Sequence, residues 1–143
     1  MTSISLHVRV PSSPAVVWDE MRHIERHVEW MHDAVAITFT SDQREGVGTS
    51  FVCATKIGPL RTNDVMVITR WDDAAVMGVE HRGLITGRGE FTLSPDGDGT
   101  RITWTEDLVF PWWLGGALGA VVARPILRAV WRRNLALLAR RLG

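Results

Sequence analysis

The sequence predicts an α+β fold in which a curved antiparallel sheet of six to seven strands wraps around one long C-terminal helix. Residues 4–10, and most of the chain between residues 34 and 110, alternate apolar and polar side chains with the period of two typical of half-buried strands. The last part of the chain instead repeats apolar residues at helical spacing. The turns between strands are too short for crossover connections, so neighbouring strands are expected to be antiparallel.

Two short helices are predicted after the first strand, which ends before Pro11. A serine at position 12 or 13 can cap the first helix, of about residues 14–22, because its hydroxyl can accept a hydrogen bond from a free backbone N–H. The second, at an angle to the first, follows from three apolar residues at helical spacing: Ile24, Val28 and Met31.

Six further strands are expected, each bounded by Gly, Pro or Asp turn signals. The clearest turn is residues 96–99, Asp-Gly-Asp-Gly, because glycine readily adopts the positive φ that a tight hairpin requires. The predicted strands cover residues 35–40, 48–57, 62–71, 76–81, 88–93 and 100–110.

The C-terminal helix carries the one long apolar stripe that can cover the apolar face of this sheet. Arg124 and Pro125 interrupt the apolar run of this helix, so the sequence does not predict a membrane span. Pro125 is expected to kink or restart the helix. One sheet covered by one helix predicts a single domain of residues 1–143. The stripe consists of Leu127, Val130, Trp131, Leu135, Leu138 and Leu142.

Composition narrows the classes of function. Sixteen basic and sixteen acidic residues give a formal net charge of zero, so no nucleic-acid partner and no stable membrane insertion is expected. Cys53 is the only cysteine, and the N-terminal residues lack the pattern of a signal peptide, which together predict a cytoplasmic location. Seven tryptophans and no tyrosine favour a strongly apolar interior.

Several segments, in their order and spacing, resemble the START-like or SRPBCC superfamily, which includes polyketide cyclases and birch-pollen-allergen-like ligand carriers. These segments are VRVPSSPAVVW at 8–18, GVGT at 46–49, TRWD at 69–72, GTRITW at 99–104 and NLALL at 134–138. The resemblance covers nearly the whole chain and implies the helix-grip fold with an internal cavity. It leaves the chemistry open, because the members include carriers, cyclases, hydrolase-like enzymes and subunits of larger systems.

Strand periodicity selects the residues of a cavity wall. If Ile102 and Trp104 face inward, Glu106 and Leu108 do so as well. An apolar wall with few polar groups is typical of a small-molecule pocket, although side chains of this size could also fill the interior completely. The predicted ligand-binding residues are Phe51, Cys53, Val79, His81, Phe91, Leu93, Ile102, Trp104, Glu106, Leu108, Trp112, Trp113, Leu127 and Trp131.

Glu106 and His81 are the candidates for a catalytic acid/base pair, because carboxylates in apolar pockets have raised pKa values and imidazole titrates near neutrality. We favour the alternative that Glu106 pairs with Arg82 or Arg88 at the mouth of the sheet, since a one-residue slip in register would reverse both side chains. Cys53 is expected to be a small core residue, as no base accompanies it.

Three histidines, His23, His27 and His32, together with Glu20, raise the question of a metal site, because residues three or four apart share a helix face. No further ligand cluster accompanies them, so a solvated helix face is the favoured interpretation and no metal is expected. No cofactor is expected either: the glycines before the long helix lack the Lys-Ser/Thr or βαβ context of a nucleotide site.

Three hypotheses about function follow. The favoured one is binding or transport of an apolar or amphipathic small molecule, such as a lipid, a polyketide or an aromatic metabolite. The second is a cyclase/dehydratase-like enzyme in which Glu106 or His81 moves a proton. The third is an interaction or membrane-proximal accessory domain, in peripheral contact through Trp112, Trp113 and the arginines of the long helix. Trp112 and Trp113 could equally form a lid or pack on neighbouring loops, and the chain could be a monomer or a homodimer.

Overall fold

A single antiparallel sheet of seven strands dominates the structure, a computed structural model that describes residues 2–143. The strands are β1 (Thr2–Val10), β2 (Ala34–Phe39), β3 (Ser50–Ile57), β4 (Leu60–Asp72), β5 (Val76–Arg82), β6 (Thr86–Asp96) and β7 (Gly99–Val109). Their order across the sheet is β1-β7-β6-β5-β4-β3-β2, and every neighbouring pair is antiparallel. The predicted sheet is therefore confirmed.

Two short helical segments join β1 to β2. Helix α1 (Pro14–Met21) begins at the Ser13 cap, whose hydroxyl oxygen accepts a hydrogen bond from the Val16 N–H over 3.4 Å. The second segment, Ile24–Glu29, is a 3₁₀ helix and not an α-helix. At six residues it is longer than most 3₁₀ segments, which rarely exceed about four residues.

Helix α2 (Gly116–Leu142) follows a 3₁₀ turn at Trp112–Leu114 and packs against the sheet. It continues through Pro125, so the predicted restart does not occur. Proline leaves the carbonyl four residues earlier, that of Val121, without its helical donor. Val121 and Pro125 are both exposed, so water can satisfy this carbonyl. Among residues 2–143, no helix is both long and apolar enough to cross a bilayer.

The two ends of the sheet differ in how they are covered. Helix α1 contacts β6 and β7 at one end, where Val10, Val17 and Leu138 are completely buried. The β3–β4 and β5–β6 hairpins lie at the other end. Arg82 pairs there with Thr86, which in turn pairs with Val109, so the last residues of β7 lie at this end as well. The connection from β7 to α2 starts at this same end, which we call the mouth.

Candidate functional site

A cavity of about 350 Å³ lies between the sheet and α2. The interior is therefore not completely filled by side chains. Leu60 and Ile126 line the cavity and are 43% and 54% exposed, so the cavity reaches the surface at the mouth. Its volume is within the range of small-molecule sites, which are typically about 300–1,000 Å³.

Most of the predicted wall residues lie on this cavity. Whether they contact a ligand stays a prediction, since period-two reasoning concerns only the face of the sheet. The ten that line it are Phe51, Cys53, Val79, His81, Phe91, Trp104, Glu106, Leu108, Leu127 and Trp131.

Four predicted residues lie elsewhere. Leu93 and Ile102 are buried and directly opposite each other in the register, towards the end that α1 covers, so they belong to the packed core. Their side chains lie on the same face of the sheet as those of the wall residues. They are too far along the strands, towards the end that α1 covers, to reach the cavity. Trp112 and Trp113 are 86% and 57% exposed and do not line the cavity, because the 3₁₀ turn holds them on the surface.

The contribution of β4 to the cavity wall was not predicted from the sequence. Four of its alternate residues, Thr62, Asp64, Met66 and Ile68, line the cavity. The buried Ile68 fixes the inward face, and counting back in steps of two finds the others. That signal was available in the sequence, but Asp64 at an inward position interrupts the apolar pattern and hides it.

A buried carboxylate, Glu106, forms the polar centre of the cavity. It is 3% exposed and lies 2.7 Å from His81, measured from carboxylate Oε2 to imidazole Nε2. Its other oxygen, Oε1, accepts a hydrogen bond of 2.8 Å from the indole Nε1–H of Trp104. Both carboxylate oxygens are therefore occupied, and His81 is oriented by Glu106.

Glycines on β6 allow this pair to form, although β6 separates β5 from β7. Gly89 lies directly opposite Glu106, and Gly87 lies opposite His81. A Cβ atom at Gly89 would overlap the Glu106 carboxylate. The absence of a side chain at position 89 therefore leaves the space through which Glu106 reaches across the strand.

The predicted pairing of Glu106 with an arginine is wrong. Arg82 instead pairs with Glu80, with 3.1 Å between Nε and Oε1. Arg88 is exposed and lies opposite Glu80 in the register. Strand alternation explains this: Arg82 is adjacent to the inward-facing His81 and therefore points to the other face of the sheet.

Opposing influences act on the pKa of His81. Burial alone would lower it, but the hydrogen bond and negative charge of Glu106, with a further contribution from Asp64, outweigh burial and raise it above its ordinary value. The protonated imidazolium is thus favoured in the fold. Because the folded pKa exceeds the unfolded value of about 6.5, this stabilisation is present below that pH and is lost as pH rises through the folded pKa.

We expect Glu106→Gln to lower the pKa of His81 below its ordinary value, because burial is then opposed only by the smaller contribution of Asp64. An NMR titration of the imidazole resonances measures this directly. Glu80→Gln, which removes an exposed carboxylate on the same strand as His81, serves as the control and should leave the titration almost unchanged. An identical His81 titration in the wild type and Glu106→Gln would refute the assigned cause.

Cys53 is a poor nucleophile. Burial raises the pKa of its thiol to about 11, despite a weak hydrogen bond from the Thr55 hydroxyl over 3.7 Å. The thiol is therefore protonated at neutral pH, and the reactive thiolate is scarce.

Of the three histidines, only His27 departs clearly from the solvated face that the sequence suggested, because His32 is exposed and His23 is partly exposed. His27 is buried, and its Nε2 lies 2.8 Å from the Met21 carbonyl oxygen. Burial lowers the pKa of His27, so the neutral ring donates its Nε2–H there. His23 lies near Glu25, and the side chain of His32 contributes to no ion pair within residues 2–143. Among the same residues, no group of His, Cys, Asp and Glu side chains is arranged to hold a metal ion.

The sequence profile of a family described as polyketide cyclase / dehydrase and lipid transport matches residues 1–143. The chain belongs to this family. Comparison with curated proteins finds no match.

Solved structures agree with this family assignment in their fold. The protein TTHA0849 from Thermus thermophilus has a TM-score of 0.81 at 16% identity, over 99% of this chain and 97% of that protein. The ZhuI aromatase/cyclase from Streptomyces sp. R1128 has a TM-score of 0.76 at 16% identity, over 99% and 93% of the two chains. Ara h 8.0201 has a TM-score of 0.67 at 10% identity, over 96% and 97%. The helix-grip fold of this family member is thereby confirmed, and such low identities show the fold alone.

Proposed function

We propose that the protein binds an apolar or amphipathic small molecule in the cavity, with a polar end of the ligand held at His81. The observation that carries this proposal is one buried polar centre, the Glu106–His81 pair, set within a mainly apolar wall. Pockets of this kind bury the apolar body of a ligand and use a few polar groups to orient it.

The one hydrogen-bonding position that the pair leaves free favours a particular kind of polar group on the ligand. Glu106 already accepts from Trp104 and His81, whereas Nδ1 of His81 makes no hydrogen bond to any atom of residues 2–143. In the imidazolium, Nδ1 carries a proton and can only donate. A carbonyl or anionic oxygen of the ligand is therefore the expected partner.

The apolar part of the site favours a ligand with a flat or ring-containing body. Trp104 and Trp131 are stacked with 5.2 Å between their ring centroids, and Phe91 lies 4.8 Å from Trp104. These rings face the cavity together with aliphatic side chains of β3, β4 and α2. Aromatic walls bind planar ligands through offset or edge-to-face contacts in addition to area burial.

Binding can be tested with 1-anilinonaphthalene-8-sulfonate, a fluorescent probe with aromatic rings and an anionic oxygen group. Val79→Phe, on the cavity wall, should raise its Kd at least about tenfold, which corresponds to about 1.4 kcal/mol of binding free energy. Val65→Phe is the matched control, because Val65 lies on the neighbouring strand, is partly exposed and does not line the cavity.

Native mass spectrometry of the purified protein provides a second measurement. It should detect a retained ligand of a size that fits the cavity. Equal probe affinities in Val79→Phe and Val65→Phe, with both variants folded by circular dichroism, would contradict binding in this cavity. The predicted cytoplasmic location and the monomeric or homodimeric state stay predictions.

An acid/base enzyme of the cyclase/dehydratase kind is the second candidate, and the hydrogen-bonded Glu106–His81 pair in the cavity is what favours it. A protonated His81 could donate its Nδ1 proton to a carbonyl oxygen or to a departing hydroxyl group, after which Glu106 would hold the neutral ring in place. His81→Gln should then abolish turnover of a polyketide-type substrate even at saturating substrate concentrations. Unchanged turnover would remove His81 from the mechanism.

A further inference from the structure

Large apolar side chains are exposed beside the mouth of the cavity. We call this set the mouth patch, and it lies on the 3₁₀ turn and the first half of α2. An apolar cluster of this kind, rimmed by charge, usually marks an interaction surface. Its members are Trp112, Trp113, Leu118, Val121, Val122 and Ile126.

The mouth patch is continuous with the cavity. Ile126 belongs to the patch and also lines the cavity, and the partly exposed Leu60 of the β3–β4 hairpin does the same from the opposite rim. A partner seated on the patch would therefore meet the cavity entrance.

The charge around the patch is positive. Between Phe110 and Arg133 the chain has four arginines and no acidic residue. Arg124 and Arg128 are held beside the patch because they donate hydrogen bonds to the carbonyls of Ser3 and Ser5, over 3.3 and 3.2 Å. Arg132 and Arg133 are exposed one to two turns further along the same helix.

The opposite rim is positive as well. Lys56 and Arg61 are directly opposite each other in the β3–β4 hairpin, and both side chains are exposed. Like charges in a directly opposed pair repel each other. An anionic partner at the mouth would relieve this repulsion. Of the acidic residues near this end, Asp64 accepts a hydrogen bond from Thr62, and Asp107 accepts one from Ser3.

We propose that the mouth patch docks the protein on an anionic phospholipid bilayer, with the cavity entrance facing the lipid. Exposed tryptophans favour the headgroup level of a bilayer, where a ring can be partly buried while its N–H stays hydrated. Arginine and lysine near that level are attracted to anionic headgroups. The proposal goes beyond ligand binding and does not depend on which molecule the cavity holds.

A second copy of this chain fits the patch less well. A two-fold dimer would place the same surface of both copies face to face. The positive side chains around the patch, from α2 and from the Lys56–Arg61 pair, would then face the same positive surface of the other copy. A bilayer supplies both the apolar phase and the negative charge that this surface requires.

The test is co-sedimentation of the full chain with phosphatidylcholine vesicles, with and without phosphatidylglycerol, at low and high salt. The wild type should bind the phosphatidylglycerol vesicles at low salt, and binding should weaken with added salt. A Trp112→Ser/Trp113→Ser double variant should bind at least about tenfold more weakly. The control is Val16→Ser/Val47→Ser, which removes two exposed apolar side chains from outside the mouth patch and should bind as the wild type does.

Quenching of tryptophan fluorescence by brominated phosphatidylglycerol adds a readout of location. It should be strong in the wild type and fall in the double tryptophan variant. Absence of vesicle binding at both salt concentrations, or equal binding by the two double variants, would overturn the proposal. So would self-association in analytical ultracentrifugation that depends on Trp112 and Trp113 and occurs without vesicle binding.

Discussion

Glu106→Ala should lower the free energy of unfolding by about 3–5 kcal/mol, the usual effect of removing one partner of a buried ion pair. The substitution leaves His81 Nε2 and the Trp104 indole N–H without their acceptor, and it opens space beside Gly89. Urea denaturation at neutral pH, followed by circular dichroism, measures the change.

A matched control is Glu80→Ala, which removes an exposed carboxylate whose partner, Arg82, is also exposed. Its unfolding midpoint should remain close to that of the wild type, because water screens such pairs. Glu106→Gln should be less destabilising than Glu106→Ala, since the amide keeps the shape and can still accept from Trp104. Equal midpoints for Glu106→Ala and Glu80→Ala would show that the buried pair contributes nothing to stability.

Trp131→Ala should lower the free energy of unfolding by about 3–5 kcal/mol, as large-to-small substitutions of buried aromatic residues commonly do. Trp131 connects α2 to the sheet through its stacked contact with Trp104, 5.2 Å between centroids. Because Trp131 also lines the cavity, its loss should enlarge the space available to a ligand. Urea denaturation measures the first effect, and native mass spectrometry reports any change in the mass of a retained ligand.

Trp113→Ala is the control for this prediction, because it removes an indole of the same size from an exposed position. Its stability should remain within about 0.5 kcal/mol of the wild type, the usual range for surface substitutions. If Trp131→Ala were as stable as Trp113→Ala, the contact between α2 and β7 would not hold the helix to the sheet.

Periodicity in the sequence was sufficient for the strands, for the long helix and for the inward face of β3, β5, β6 and β7, but not for that of β4. Trp104, Glu106 and Leu108 all line the cavity, as the alternation along β7 predicts. The same rule put Ile102 on the correct face, yet Ile102 lies in the packed core. Alternation contains no information about position along the strand relative to the other elements. The level at which α1 ends the cavity is a property of the assembled fold.

The sequence offered both His81 and an arginine as the partner of Glu106, and local pattern could not decide between them. His81 and Glu106 are 25 positions apart and lie on strands that are not neighbours in the sheet. Their contact depends on the registers of two separate strand pairs and on the missing side chain at Gly89. An arginine was favoured from the sequence, because a slip of one residue in the register would have turned both Glu106 and His81 to the other face of the sheet.

The sequence by itself determined the seven strands, the long terminal helix and the apolar inner face, because these follow from side-chain periods of two and 3.6. Only the tertiary structure decided that α2 and the sheet leave a hollow between them, and that Trp112 and Trp113 lie outside it on the surface. Such features depend on sheet curvature, on register between distant strands and on the distance at which the helix packs. None of these is encoded in the spacing of residues along one element.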